Sequence, residues 1–233
     1  MPAKELIPAG LPYMDELLKK AKQNEKECLG VEQEIDEEVF SKKPENITVL
    51  LAPSWGEKGF LKALGTGFIE HLAEKKFNLI IRPHPQSLKV ESKLIHNLKG
   101  ILKKYSNLKW DFNPDGTDSL KTADILISDT SAVRLDFALV YHKPFITIPY
   151  VFSQTAMQDF EITDIGFSWI EDNIKEIGYT LQDGEIEKLD EVIIKVLKER
   201  TDKDILDFQN RNIYNIGSSG EVIAEYLVRE AIH

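Results

Sequence analysis

The sequence predicts an α/β chain built on a doubly wound, mostly parallel sheet, on three observations. Short apolar runs bounded by proline or polar residues recur from Asn46 onward; each run is mostly apolar on both faces rather than alternating; and longer amphipathic segments separate the runs. Strand–helix–strand units of this kind form right-handed crossovers with helices on both faces of one sheet. Ligands of such sheets bind beyond the carboxyl ends of the strands, at the point where the strand order reverses.

The elements follow in order. Tyr13 to Lys26 places Met14, Leu17, Leu18 and Ala21 on one stripe and predicts an amphipathic helix. Residues Glu32 to Glu45 are rich in carboxylates, and Lys43-Pro44 ends that run, which reads as a solvated connector. The strands predicted next are Ile47–Ala52, Phe77–Ile81, Leu108–Phe112, Asp124–Ser128 and Phe145–Ile148. Between them, Phe60, Leu61, Leu64, Phe68 and Leu72 recur at helical spacing, although Gly65 and Gly67 each weaken a helix by about 1 kcal/mol. Leu88 to Lys104 and Ala132 to His142 complete the crossover helices. Phe152 to Ile177 reads as a loop with short helices. Glu187–Lys198 carries Leu189, Val192, Ile193, Val196 and Leu197 on one face, a core stripe. Ser218-x-x-Glu221 ahead of Val222, Ile223, Tyr226 and Leu227 predicts a capping box opening a last helix. The organisation expected is residues 1–45 as helix plus acidic linker and residues 46–233 as one ligand-binding domain.

Composition narrows the function. With 39 acidic against 29 basic residues the formal net charge is -10, so the chain lacks the overall positive field of non-specific nucleic-acid or anionic-membrane binders. An anionic ligand must meet a local positive site. Cys28 is the single cysteine, which excludes intrachain disulfides and multi-cysteine metal sites and fits a reducing compartment. No metal site is expected. No apolar run approaches the ~20 residues of a membrane span, and MPAKELIPAG has no signal-peptide core. The location expected is cytoplasmic, with membrane contact confined to the periphery at the inner face of the cell membrane.

The strand ends are where site residues are sought. The first strand runs into Pro53-Ser54-Trp55-Gly56, the second into Arg82-Pro83-His84-Pro85, the third into Asn113-Pro114-Asp115-Gly116, the fourth into Asp129-Thr130-Ser131 and the fifth into Pro149-Tyr150. Pro83 and Pro85 fix φ on either side of His84, so Arg82 and His84 ride on a stiff segment suited to a phosphate site. The competing reading makes His84 a helix cap in a surface turn. At the fourth strand, the hydroxyls of Thr130 and Ser131 and the free N–H groups of a helix start would hold a phosphate without a metal. Asp129, Thr130 and Ser131 are also good N-caps, and a cap alone explains one of the three. Asp136, slightly more than one turn beyond Ser131, either lines the same site or pairs with Lys143 or Arg134 on the surface.

Taken together, Ala52-Pro53-Ser54-Trp55, Arg82-x-His84-Pro85, Ala123-Asp124-Ile125-Leu126-Ile127-Ser128-Asp129-Thr130-Ser131-Ala132 and Asp136-Phe137-Ala138-Leu139 with Lys143-Pro144 resemble the C-terminal half of the CDP-glycerol glycerophosphotransferase family, over roughly Asn46 to Trp169. The resemblance implies a Rossmann-like C-terminal domain of the GT-B type that binds a donor nucleotide. It implies that His84 contacts the donor phosphates and that Thr130 and Ser131 hold the pyrophosphate, with Ser54, Trp55, Asp129 and Asp136 lining the donor site. Asp164-Ile165-Gly166-Phe167 resembles the family's Asp-Arg-Gly-Phe segment with Ile165 in place of arginine; Ser54-Trp55-Gly56 stands where Thr-Trp-Arg is frequent, and Thr130-Ser131-Ala132 where Tyr-Ser-Ser is frequent. Ala9-Gly10-Leu11-Pro12-x-x-Asp15 resembles the element that closes the first GT-B domain, so the acceptor-binding domain is expected to be missing from this chain.

The activity implied is transfer of glycerol phosphate from CDP-glycerol to the hydroxyl of a cell-surface polymer or glycolipid, releasing CMP, as in cell-envelope biosynthesis of teichoic-acid-like polymers. Arg82 and His84 are the candidate catalytic residues, stabilising charge on the pyrophosphate, with His84 a candidate general acid. CDP-glycerol enters as substrate, and no separate cofactor or nucleic-acid partner is expected. Two other readings stand beside this one: a UDP-sugar glycosyltransferase or 2-epimerase domain, and a module that binds nucleotide without turnover.

Overall fold

A computed structural model describes residues 7–26, 43–56, 59–129, 131–149 and 173–232. In chain order these form α1 (Pro12–Lys26), β1 (Thr48–Ala52), α2 (Phe60–Leu64), α3 (Gly67–Glu74), β2 (Asn78–Ile81), α4 (Pro85–Val90), α5 (Ser92–Leu102), β3 (Leu108–Trp110), α6 (Thr117–Thr122), β4 (Ile125–Ser128), α7 (Val133–Tyr141), β5 (Phe145–Thr147), β6 (Gly178–Thr180), α8 (Leu189–Glu199), α9 (Asp202–Asn212) and α10 (Ser219–Ile232).

The strands form one six-stranded sheet in the order β3-β2-β1-β4-β5-β6, with every pairing parallel. The apolar-on-both-faces pattern explains it. Val49 and Leu51 of β1, Leu79 and Ile81 of β2, and Ile125 and Ile127 of β4 pack under α3, α5 and α8. The alternate residues Leu50, Leu126 and Phe145 pack under α1, α7 and α9 with Met14, Phe137, Leu139, Ile205 and Phe208. Val49, Leu50, Leu51, Leu126 and Ile127 are fully buried, each such side chain contributing about 1.5–3 kcal/mol. An all-parallel sheet needs both layers, because neither face is polar enough to meet water.

This order puts the switch point between β1 and β4. From β1 the chain winds outward to β2 and β3, then returns to β4 on the other side of β1 and winds outward again. The tails of β1 and β4 thus lie side by side while their helices leave toward opposite faces.

Some boundaries differ from expectation for local reasons. The helix predicted through Phe60 to Leu72 is two, because Gly65 adopts φ +68 and ends α2 before α3 starts at Gly67. The helix predicted from Leu88 to Lys104 begins earlier, at Pro85, and breaks at Glu91, which lies outside helical geometry. Short α6, β6 and α9 were not expected: each is three to eleven residues of mixed polarity. β6 carries Gly178, where a Cβ would lie 2.3 Å from the Phe145 ring, so glycine lets β6 close on β5.

The reciprocal capping box stands at Thr201 and Asp204 of α9. At α10, where Ser218 and Glu221 were expected to supply one, the N-terminus is met by a carboxylate from the opposite end of the chain. Asp15 is buried and accepts from Gly217 N at 2.8 Å, Gly220 N at 3.1 Å and Ser219 Oγ at 3.2 Å. Ser219 Oγ in turn accepts from Leu11 N at 3.0 Å. Gly10 adopts φ +92, and a Cβ there would sit 2.2 Å from Tyr214 O, so glycine permits this contact. Burial works to raise the Asp15 pKa, but the amides and hydroxyl outweigh it and hold the carboxyl below its ordinary value. The Gly10-Leu11-Pro12-x-x-Asp15 element thereby clasps the last helix to the first.

Removing this cap leaves buried amides unpaired. Asp15→Ala is expected to cost about 2–3 kcal/mol, to lose hydrogen-exchange protection selectively in residues 219–230, and to leave exchange in β1 and β4 at the global rate. Uniform loss across the sheet would mean that the clasp is not local.

Candidate functional site

The tails of β1 and β4 are tied together by side chains. Ser128 Oγ donates to Ala52 O at 2.6 Å, and one residue later Asp129, 2% exposed, accepts from Ser54 N at 2.9 Å and from Ser54 Oγ at 2.5 Å. Ser54 and Asp129, both predicted as donor contacts, thus spend these polar atoms on each other. Their bond sets the start of the next loop. Gly56, at φ +79, gives its N–H to Glu91 Oε1 at 3.0 Å, and Gly59 N returns to Gly56 O. A Cβ on Gly59 would lie 2.1 Å from Ser54 O, so the loop closes this tightly only with glycine.

Trp55 emerges from this tie 49% exposed, and its ring stacks on that of His84 with centroids 6.4 Å apart and planes at 30°. His84 is exposed and is the N-cap of α4: its Nδ1 accepts from Gln86 N at 3.1 Å. The capping role weighed from the sequence is therefore present. It also orients the ring, since using the Nδ1 lone pair leaves Nε2 to carry the proton of the neutral imidazole. An N–H donor on a stiff, ring-stacked histidine is a competent phosphate contact.

Arg82 is placed differently. Its Nη1 donates to Asp111 Oδ2 at 2.6 Å and its Nη2 to Pro114 O at 3.3 Å, with the side chain 16% exposed. Gly116 lies against the guanidinium, where a Cβ would meet Arg82 Nε at 2.8 Å. Asp111 also accepts from Ser119 Oγ and Asn113 N. These bonds and Arg82 overcome the effect of burial and hold its carboxyl below its ordinary pKa. Arg82 thus anchors the loop between β3 and α6.

At the end of β4, Thr130 lies outside the described residues, as do Tyr150 and the Asp164-Ile165-Gly166-Phe167 segment. The N-cap position of α7 falls on Ala132, with no side-chain cap, so Ser131 stands one residue before it. Capping therefore does not account for Ser131. Behind this helix start lies Arg134, considered from the sequence only as a surface partner for Asp136. It is 3% exposed, donates from Nε to Ser131 O at 3.1 Å and from Nη1 to Thr147 Oγ1 at 2.9 Å, and lies over the Phe145 ring. A buried guanidinium beneath an uncapped helix N-terminus adds to the positive potential there. Its only sequence signal was its place in the first turn after Thr130-Ser131.

Asp136 faces α1, where the Tyr13 hydroxyl donates to it. Burial pushes its pKa up to about 6, with the Tyr13 hydrogen bond opposing. Lys143 instead donates to Lys121 O and Ala123 O at 2.5 and 2.7 Å, at the far end of α7. The structure thus gathers Ser54, Trp55, His84, Asp129 and Ser131 at the switch point. Arg82 lies to the β3 side and Asp136 against α1.

A cleft of about 350 Å³, lined by Leu64, Gly67, Phe68, His71, Ile186 and Glu187, opens on the opposite sheet face from α7 and includes none of these residues. It is mainly apolar, whereas Trp55 and His84 at the switch point are exposed. Among the described residues no three His, Cys, Asp or Glu side chains converge as a metal site.

Comparison with known proteins bears on the family and the fold. The sequence model of the family described as CDP-glycerol:poly(glycerophosphate) glycerophosphotransferase matches residues 1–164. No curated protein matches the sequence. The solved structure of the wall teichoic acid polymerase TagF superposes with a TM-score of 0.53 at 18% identity, covering 99% of this chain and 53% of that one. The UDP-GlcNAc 2-epimerase of Methanocaldococcus jannaschii superposes at 0.59 and 19% identity, over 98% and 56% of the two chains. That of Neisseria meningitidis gives 0.57 and 17%, over the same shares. The chain spans about half the length of these structures, and the likeness is one of fold, Rossmann-like and of the GT-B kind.

The Asp136 environment makes a pH-dependent prediction. The folded chain keeps a proton there up to about pH 6, whereas an unfolded aspartate releases it near pH 3.9. Stability therefore falls as pH rises through that window, and the penalty is complete above it. With solvent screening at this half-buried position, Asp136→Asn is expected to gain about 2 kcal/mol at pH 7 and nothing at about pH 3.5. Paired denaturant melts at the two pH values check this; equal gains at both would contradict it.

Proposed function

The chain belongs to the CDP-glycerol:poly(glycerophosphate) glycerophosphotransferase family, and from that premise we propose that it is the donor-binding half of such an enzyme, holding CDP-glycerol by its pyrophosphate at the β1/β4 switch point. The observation that carries this reading is the chain of contacts along the sheet edge, from His84 stacked on Trp55 through the Ser54–Asp129 bond to the start of α7, where the N-cap residue Ala132 has no side-chain cap and Arg134 is buried. In a chain of net charge -10 this is a local positive site of the kind a diphosphate requires.

In the reaction proposed, an acceptor hydroxyl attacks the phosphorus that bears glycerol. The new P–O bond forms as the bond to CMP breaks, CMP leaves with the bridging oxygen, and the hydroxyl proton passes to a base. His84 Nε2 and the positive end of the α7 dipole, together with Thr130 and Ser131, stabilise the charge that gathers on the leaving phosphate, an effect worth several kcal/mol when the donors are preorganised. Arg82 supports it by fixing the loop between β3 and α6. The Ser54–Asp129 pair holds Trp55 in place, and Asp136 lines the α1 side of the donor. The acceptor, a polyol-phosphate polymer or glycolipid, is bound by the other half of the enzyme at the inner face of the cell membrane. A uridine-linked sugar donor is the second reading, favoured by the fold shared with the two 2-epimerases.

Calorimetric titration with CDP-glycerol, CDP, CMP and UDP separates these. CDP-glycerol and CDP are expected to bind more tightly than UDP. His84→Ala and Ser131→Ala should each weaken binding about tenfold, the equivalent of ~1.4 kcal/mol; Ser131→Ala should leave the thermal midpoint unchanged, whereas His84→Ala should lower it slightly through the lost α4 cap. Preference for UDP would favour the sugar-nucleotide reading, and absence of binding would overturn both.

A further inference from the structure

We propose that the outer face of α4 and α5 is a docking surface for an anionic lipid bilayer. The inference is independent of the donor reading. Residues 86–109 contain six lysines and one acidic residue, Glu91, in a protein whose net charge is -10. Glu91 is turned away from this face, since its carboxylate accepts from Gly56 N at 3.0 Å. Lys104 pairs with Glu70 at 2.8 Å on the α3 side, where Glu74 also lies within reach of Tyr105. Lys89, Lys93, Lys99 and Lys103 remain exposed. Among the described residues none of these four forms an ion pair, and Lys99 instead lies over the Phe112 ring, 4.9 Å from its centroid.

Three of these lysines share one side of α5 and its C-cap. Ile95, Leu98 and Leu102 bury the inner side of α5, which turns Lys93, His96, Lys99 and Lys103 outward as one stripe at intervals of three and four residues. At 1.5 Å per residue it runs about 15 Å. Apolar side chains flank it: Val90 is 57% exposed, Ile101 49%, Leu88 39% and Phe112 37%, with Phe112 stacked on Trp110. A solvated helix face ordinarily mixes both signs of charge. Here cations with apolar flanks suit the headgroup boundary, where lysines meet lipid phosphates and short apolar side chains enter the interface. A soluble polyanion would satisfy the lysines and leave Val90, Ile101 and Leu88 in water, which is why the bilayer is the occupant favoured. No helix among the described residues is long and apolar enough to cross a membrane, so the contact is superficial. Because α4 begins at Pro85, it would bring the His84 edge of the sheet to the membrane.

The test is cosedimentation of the chain with phosphatidylglycerol/phosphatidylcholine vesicles and with pure phosphatidylcholine vesicles. Binding is expected for the first, reduced at about 0.5 M salt, and absent for the second. Each lysine should be worth about fivefold in partitioning, so Lys93→Ala/Lys99→Ala/Lys103→Ala should lower it roughly a hundredfold without shifting the melting midpoint. Lys188→Ala/Lys195→Ala/Lys198→Ala changes net charge equally on α8 and the turn before it, and should lower partitioning less than about twofold. The proposal is overturned by equal losses in the two triple variants, by equal binding to neutral vesicles, or by capture of linear polyphosphate with no binding to anionic vesicles.

Discussion

Asp129 is buried at the end of β4 with both carboxylate oxygens taken by Ser54, and the geometry of the switch point depends on that pairing. A parallel sheet leaves its strand ends to diverge toward helices on opposite faces, so nothing in the ladder alone sets the distance between the β1 and β4 tails. A buried carboxylate that accepts two hydrogen bonds does so at the cost of dehydrating a charge, and losing either partner would leave that cost uncompensated. The tie therefore holds the loop start at Ser54, from which Trp55 reaches His84, against the start of α7. Specificity of position is what the buried charge supplies.

The rest of the ledge is assembled from equally local constraints. His84 caps its own helix and so is held in one orientation. Arg82 fills the turn after β3 with its guanidinium, with Gly116 leaving the space. Arg134 places its charge under α7 by bonding to Ser131 O and Thr147. The Arg82 charge is matched by Asp111, so its part is to fix the loop, while Arg134 lies beneath the start of α7. The clasp of Asp15 on α10 brings the chain's first and last helices together, so α1 sits against α7 with Tyr13 beside Asp136.

The sheet was legible because the runs of β1, β2, β4 and β5 are mostly apolar on both faces, a pattern with one physical explanation, while β3 alternates as Leu108-Lys109-Trp110 at the edge; the boundaries of all five fell within two residues of those observed. β6 was not, since Gly178-Tyr179-Thr180 is too short and too polar to announce itself and pairs only because Phe145 needs a glycine opposite. The break at Gly65 and the split at Glu91 depend on φ values and on a carboxylate captured by Gly56, both tertiary facts. Candidate residues at strand ends could be named because the carboxyl edge of a parallel sheet is where side chains escape the helices. Their partners could not be named: Ser54 on Asp129, Arg82 on Asp111 and Asp136 on Tyr13 join residues 29 to 123 positions apart in sequence, and no local pattern encodes such pairs. Arg134 was missed for the same reason, because a charged residue in a first helical turn gives no sign that it will be buried.

The central claim is that the anion site lies where the β1 and β4 tails meet, and the most direct measurement is a crystal structure of the chain grown with CDP. The account predicts the diphosphate on the ledge, within hydrogen-bond distance of His84 Nε2 and of Ser131 at the start of α7, with the Ser54–Asp129 pair intact. A nucleotide seated in the cleft of Leu64, Phe68 and Ile186, or one whose phosphates touch neither His84 nor α7, would contradict it.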